Sequence, residues 1–110
     1  MKIHLIKKQT VLLFASQHAR SRVSIALWLG KVKYADWSKP QDIKKTFGHA
    51  DLLGKSSRRV VFDLGGNEFR LICQYHFGEK YLHLFICWIG THTEYMNLCQ
   101  MQQQYSINIY

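Results

Sequence analysis

The chain has 110 residues, 47% of them apolar and 20% charged, with a formal net charge of +8 and a pI near 9.6. That length suits one domain spanning 1–110 with its own core, and the composition excludes a disordered chain. The longest apolar stretches, "VLLFA" and "LFICWIG", fall far short of the ~20 residues of a membrane span, and "MKIHLIKK" lacks the apolar run of a secretory signal. No membrane association is expected, and the expected location is cytoplasmic.

"IHLI" (3–6) is a short first strand. From Lys8 to Tyr34 the pattern is helical: Ile25, Trp28, Leu29 and Val32 recur at the spacing of one buried face. "QHARS" (17–21) divides this region into two helices forming a hairpin. "SKPQDIKKTFG" reads as a short third helix, with Pro40 at its first position and Gly48 at its exit. The second half is strand-like. "RRVVFDL" (58–64), "EFRLICQYHF" (68–77) and "YLHLFICWI" (81–89) are separated by the hairpin signals "GGN" and "GE". The fold class is therefore α+β, an antiparallel sheet packed on helices.

Side-chain alternation gives the sheet two faces. In the middle strand Phe69, Leu71, Cys73, Tyr75 and Phe77 face the core, and Arg70 faces the other way. A two-residue turn at Gly78-Glu79 would pair Phe77 with Lys80, Gln74 with His83 and Arg70 with Cys87. Val60, Phe62 and Leu64 read as core, so an open face would carry Arg59, Asp63, Arg70, Gln74, His76 and His83. Outward polar residues are ordinary on a half-exposed sheet. Arginine and histidine, however, are the residues that contact phosphate and transfer protons.

Fifteen Lys and Arg against seven Asp and Glu point the same way, because excess positive charge concentrates polyanions. Cys73, Cys87 and Cys99 form no CxxC pair and read as small hydrophobes. The six histidines show no zinc-like spacing, and neither a metal nor another cofactor is expected.

"IGTHTEYMNL" (89–98) ends the apolar run. Thr91 and Glu94 have the three-residue spacing of a capping box, which starts a helix and accounts for both. His92 is left over. A helix start offers free N–H groups to an anion, and an imidazole beside a phosphate can take a proton from a hydroxyl or hand one on. A histidine at a helix start is also commonly incidental. The tail "QQQYSINIY" (102–110), with Tyr105, Ile107 and Ile109 alternating, has the pattern of an added edge strand.

"ADWSKPQDIKKTFGHADLLG", "RRVVFDLGGNEFRL" and "IGTHTEY", in that order, resemble the HigB family of toxins from type II toxin–antitoxin systems, within the RelE-like superfamily. The resemblance covers the chain from "IHLI" to about Leu98. It implies a RelE-like α+β fold, a twisted antiparallel sheet packed on an N-terminal helical hairpin. It also implies a ribosome-dependent mRNA interferase, an endoribonuclease acting on translated mRNA. The implied partner is a HigA-type helix-turn-helix antitoxin. The family's motif arginines fall on Arg59 and Arg70, its histidine on His92 and its tyrosine on Tyr95.

Two positions depart from the pattern. Met96 stands where the family often has aspartate, and Cys87 where it commonly has arginine; Lys55 or Arg58 are the candidates to replace that charge. The expected chemistry is metal-independent attack of a ribose 2′-hydroxyl on the adjacent phosphate. His92 would transfer protons, Arg70 and Arg59 would stabilise the phosphoryl oxygens, and Tyr95 would either orient the nucleotide or pack on the sheet. The alternatives are a non-enzymatic ParE-like gyrase poison, or a degenerate toxin retaining only antitoxin binding.

Overall fold

The computed structural model describes all 110 residues. The chain runs β1 (Lys2–Ile6), α1 (Lys8–Gln17), a 3-10 turn (Ala19–Ser21), α2 (Arg22–Tyr34), α3 (Pro40–Thr46), β2 (Asp51–Leu52), β3 (Arg59–Leu64), β4 (Phe69–Phe77), β5 (Tyr81–Thr91) and α4 (His92–Gln100). A last 3-10 turn, Gln103–Tyr105, opens the tail. The hairpin of α1 and α2 breaks at "QHARS" as expected. His18 N–H makes the last bond of α1 to the Phe14 carbonyl, and the Ser21 hydroxyl donates back to the His18 carbonyl at 2.6 Å. Pro40 opens α3, where the Asp42 carboxylate accepts from the N–H groups of Ser38 and Lys39.

The five strands form one sheet in the order β1-β5-β4-β3-β2. One face meets the hairpin helices. Val11, Phe14, Ile25, Trp28 and Val32 pack there against the inward residues of β3, β4 and β5, including all the odd positions of β4. Trp37, Phe62, Leu71, Leu82 and Leu84 are essentially inaccessible. Fully burying one such side chain contributes about 1.5–3 kcal/mol, so this face supplies most of the folding energy.

Three features of the sheet differ from expectation. First, it is mixed, because β1 lies parallel to β5 with His4 opposite His83. Only β2–β3, β3–β4 and β4–β5 are antiparallel. Alternation reports which face a residue takes, not strand direction, and parallel pairing needs the long crossover that α1 to β4 provide.

Second, the register is shifted. Four residues, Gly78 to Tyr81, separate the paired Phe77 and Leu82, so Gln74 pairs with Phe85 and His83 faces His76. An irregularity at Ile72/Cys73 then inserts one extra residue in β5. Such a bulge turns two consecutive residues to one side, and Cys87 and Trp88 both join the apolar cluster of the second face. Arg70 consequently lies opposite Gly90, not Cys87.

Third, that second face is not open. α4 and the tail lie on it, and Val61, Ile72, Cys87 and Trp88 form a smaller core there with Tyr95, Leu98 and Ile107. The tail is no edge strand. After its 3-10 turn it lies on the face without regular secondary structure.

Candidate active site and the basic face

The capping box at the start of α4 forms as the spacing predicts. The Thr91 hydroxyl accepts from Glu94 N–H at 3.2 Å, and the Glu94 carboxylate accepts from Thr91 N–H at 2.8 Å. His92 is the first helical residue, and its N–H donates to the Glu68 carbonyl at 2.8 Å. That bond ties the helix start to the β3–β4 turn. Its ring nitrogen Nδ1 is buried without a hydrogen-bond partner. A buried, unpaired polar atom is costly, and in native proteins it commonly marks a functional or solvent-bridged site. A cleft of about 390 Å³ opens beside it, lined by Arg20, Asn67, Glu68, Phe69, Thr91, His92 and Thr93.

Arg70 belongs to the same end of the sheet. Its guanidinium is held by three acceptors: Nε lies 3.1 Å from Asp63 Oδ1, one Nη donates to the Phe69 carbonyl at 3.2 Å, and the other donates to Asn67 Oδ1. A guanidinium carries five N–H donors, so two are left over while the fork is fixed in place, in a residue that is only 8% exposed. Asn67 links the two groups, since it both receives Arg70 and lines the His92 cleft.

Tyr95, one turn into α4, is half-buried with its ring 6.3 Å from that of Trp88. Burial pushes its hydroxyl well above the ordinary tyrosine range, and a hydrogen bond with Cys99 pushes it further. Packing against the sheet is therefore the observed state of its ring.

Arg59 is elsewhere. It pairs with Gln74, whereas Arg70 pairs with Asp63, four residues along β3. At roughly 3.3 Å per residue the two arginines are about 13 Å apart. Lys55 and Arg58 flank Arg59 and lie at this far end too. Arg59 is only 4% exposed, and its Nη1 donates to the carbonyls of Gln104 at 3.3 Å and Ile107 at 2.6 Å, both in the tail. Cys87 sits beside it, its thiol pushed up by burial against the opposing pull of the Arg59 charge. Lys55 stands 4.6 Å over the Tyr105 ring.

The motif residues thus divide into two groups: His92, Arg70 and Tyr95 at one end, Arg59, Arg58 and Lys55 at the other. Arg20, which is paired with Glu68 at the His92 cleft, was not anticipated from sequence. It lies in the inter-helix turn, far from any motif, and only tertiary packing brings it there. Asn67, read as a turn residue, gains a second role as the Arg70 acceptor.

A mixed five-stranded sheet with a helical hairpin on one face and a basic second face is compatible with the RelE-like class. The comparison with family models is specific. Residues 21–98 match the HigB toxin model, described as the RelE-like toxic component of a toxin–antitoxin system, and the chain belongs to that family. It is also similar to the mRNA interferase HigB of Escherichia coli O6:H1 (strain CFT073), with 24% identity over 102 residues. The match spans 93% of this chain and 97% of the relative. No helix is long and apolar enough to cross a membrane.

Proposed function

We propose that this toxin is a ribosome-dependent mRNA interferase that cleaves RNA at the His92–Arg70 end of the sheet. The carrying observation is the buried, unpartnered Nδ1 of His92 at the capped start of α4, beside an arginine whose fork is already oriented. Family membership, the name of the similar Escherichia coli protein and the net charge of +8 support the same conclusion.

In the proposed reaction the ribose 2′-oxygen attacks the adjacent phosphorus, and the bond from phosphorus to the 5′-oxygen breaks. The products are a 2′,3′-cyclic phosphate and a 5′-hydroxyl. The 2′-hydroxyl loses a proton as it attacks, and the departing 5′-oxygen gains one. His92 is the group positioned to carry protons in this exchange. Negative charge grows on the non-bridging oxygens, where the spare donors of Arg70 would act. Tyr95 packs on Trp88 and supports the start of α4, Arg59, Arg58 and Lys55 bind RNA phosphates beyond the site, and a HigA-type helix-turn-helix antitoxin is the proposed inhibitor.

The test is cleavage of translated mRNA against the same message carrying 2′-deoxyribose at the scissile position. Resistance of the deoxy substrate is expected, and equal cleavage overturns the mechanism. Mapping mRNA 5′ ends after induction, with and without translation, addresses ribosome dependence. Intact mRNA with DNA damage would instead indicate a gyrase poison.

A further inference from the structure

We infer that the C-terminal segment from Gln103 to Tyr110 is a strap that competes in cis with an RNA backbone for the cations around Arg59. The inference rests on the RNA-binding function proposed above and concerns how that surface is regulated.

Three basic groups at this end of the sheet are occupied by the strap, while Arg58 lines the neighbouring cleft. Arg59 donates to the Gln104 and Ile107 carbonyls, Lys55 lies over the Tyr105 ring, and Lys7 Nζ donates to the Tyr110 carbonyl. Arg59 and Lys55 both meet neutral partners. A phosphate oxygen carries full charge, and a charge-assisted bond to it is roughly twice as strong as one to a neutral carbonyl. The strap therefore fills the donors without matching what a polyanion offers them.

Its hold on the sheet is light. Ile107 enters the small core between Val61, Ile72, Cys87 and Trp88, and Ile109 N–H donates to the Cys87 carbonyl at 3.1 Å. No strand ladder forms along the segment. Beside it a cleft of about 320 Å³, lined by Lys7, Arg58, Gln74, His76 and Phe85 with Asn108 of the strap, gives a strand of RNA a first foothold. The loop beneath Tyr105 is strained, with Lys55, Ser56 and Arg58 in left-handed backbone conformation, a state that persists only where function or surroundings maintain it. Binding at this end thus draws on the fraction of molecules whose strap is off, which lowers the apparent affinity by that fraction.

The test measures binding of a 2′-deoxy single-stranded oligonucleotide, which cannot be cut, by fluorescence anisotropy across salt concentrations. The full chain is compared with Ile107→Asn, which removes the apolar anchor and adds no charge. Ile107→Asn is expected to bind about tenfold more tightly at low salt. The slope of log affinity against log salt should steepen by about 2, from three freed cations at roughly 0.7 each.

Hydrogen exchange on the unmodified chain is the second arm. Ile109 N–H should exchange faster when the oligonucleotide is bound. Wild-type affinity and slope in a folded variant, or unchanged or slower Ile109 exchange, overturns the strap. If the variant does not fold, the exchange result decides. No binding by either protein overturns the RNA-binding function itself, and the strap with it.

Discussion

The two ends of the second sheet face carry the same residue type in opposite circumstances. Arg70 is fixed by side chains of its own hairpin, Asp63 and Asn67, and the cleft next to it is open at His92. Arg59, one strand over, is fixed by main-chain carbonyls from the far end of the chain and is covered by them. An arginine held by local side chains is oriented as soon as its hairpin forms. One held by a distant segment is oriented only while that segment stays; both arginines are nearly buried, so what differs is which part of the chain holds them. The difference is between an arginine set by its own hairpin and one set by the tail.

Substitutions at the two arginines break this comparison most directly. His92→Ala should lower cleavage by roughly 10²–10⁴-fold with the melting temperature unchanged. Arg70→Lys should cost about 10²-fold, because an ammonium does not reproduce the planar fork. Arg59→Lys should leave the cleavage step nearly intact and appear in thermal unfolding, since its partners are structural. Equal losses in cleavage at the two arginines would show that the ends act as one site.

Gly90, opposite Arg70, sharpens the comparison through stability. A Cβ there would lie 2.5 Å from the Trp88 ring and 2.9 Å from Glu94 Oε1. Gly90→Ala should therefore destabilise by about 1–3 kcal/mol in denaturant titration, because the tryptophan or the capping box must move. Thr91→Ala should cost about 1 kcal/mol and expose His92 to faster exchange, with the Arg59 end unaffected.

The smallest effect is alkaline. Burial raises the thiols of Cys73 and Cys87 in the folded state, while an unfolded thiol ionises near about pH 8.5. Above that pH the unfolded chain holds fewer protons than the folded one. The stability from these groups is therefore complete below about pH 8.5 and is lost as pH rises beyond it. Unfolding midpoints for Cys87→Ala should decline less steeply there than for the parent chain.

Much of the fold was readable from pattern. The core faces of β3 and β4 followed from period-two placement of apolar residues, the hairpin from helical periodicity, and the α4 start from Thr91 and Glu94; Val61 and Ile72, apolar on the other face, belong to the second core. Register failed because four residues, not two, separate the paired ends of "FGEKYL", and because no local signal marks the extra residue near Cys87. Gly65 and Gly66 both adopt left-handed conformation at the other turn, so that hairpin was correctly marked. The parallel pairing of β1 and the course of the tail depend on contacts nearly a chain length apart, which period-two patterns do not encode. For the same reason the motif residues looked like one constellation: sequence order places Arg59 and Arg70 close together, whereas the strands carry them apart.

The parallel β1–β5 pairing bears on the order in which the chain can assemble. β1 leaves the ribosome first, yet its only sheet partner is β5, residues 81–91, nearly eighty positions later. Closing so long a loop is slow, and its entropic cost must be met before the contacts repay it. The first-made strand therefore waits for one of the last, and His92 follows directly behind that partner. A nascent or prematurely ended product lacking β5 has neither a closed sheet nor the helix start that carries the histidine. This wiring delays assembly of the His92 end until β5 and the start of α4 have both been made.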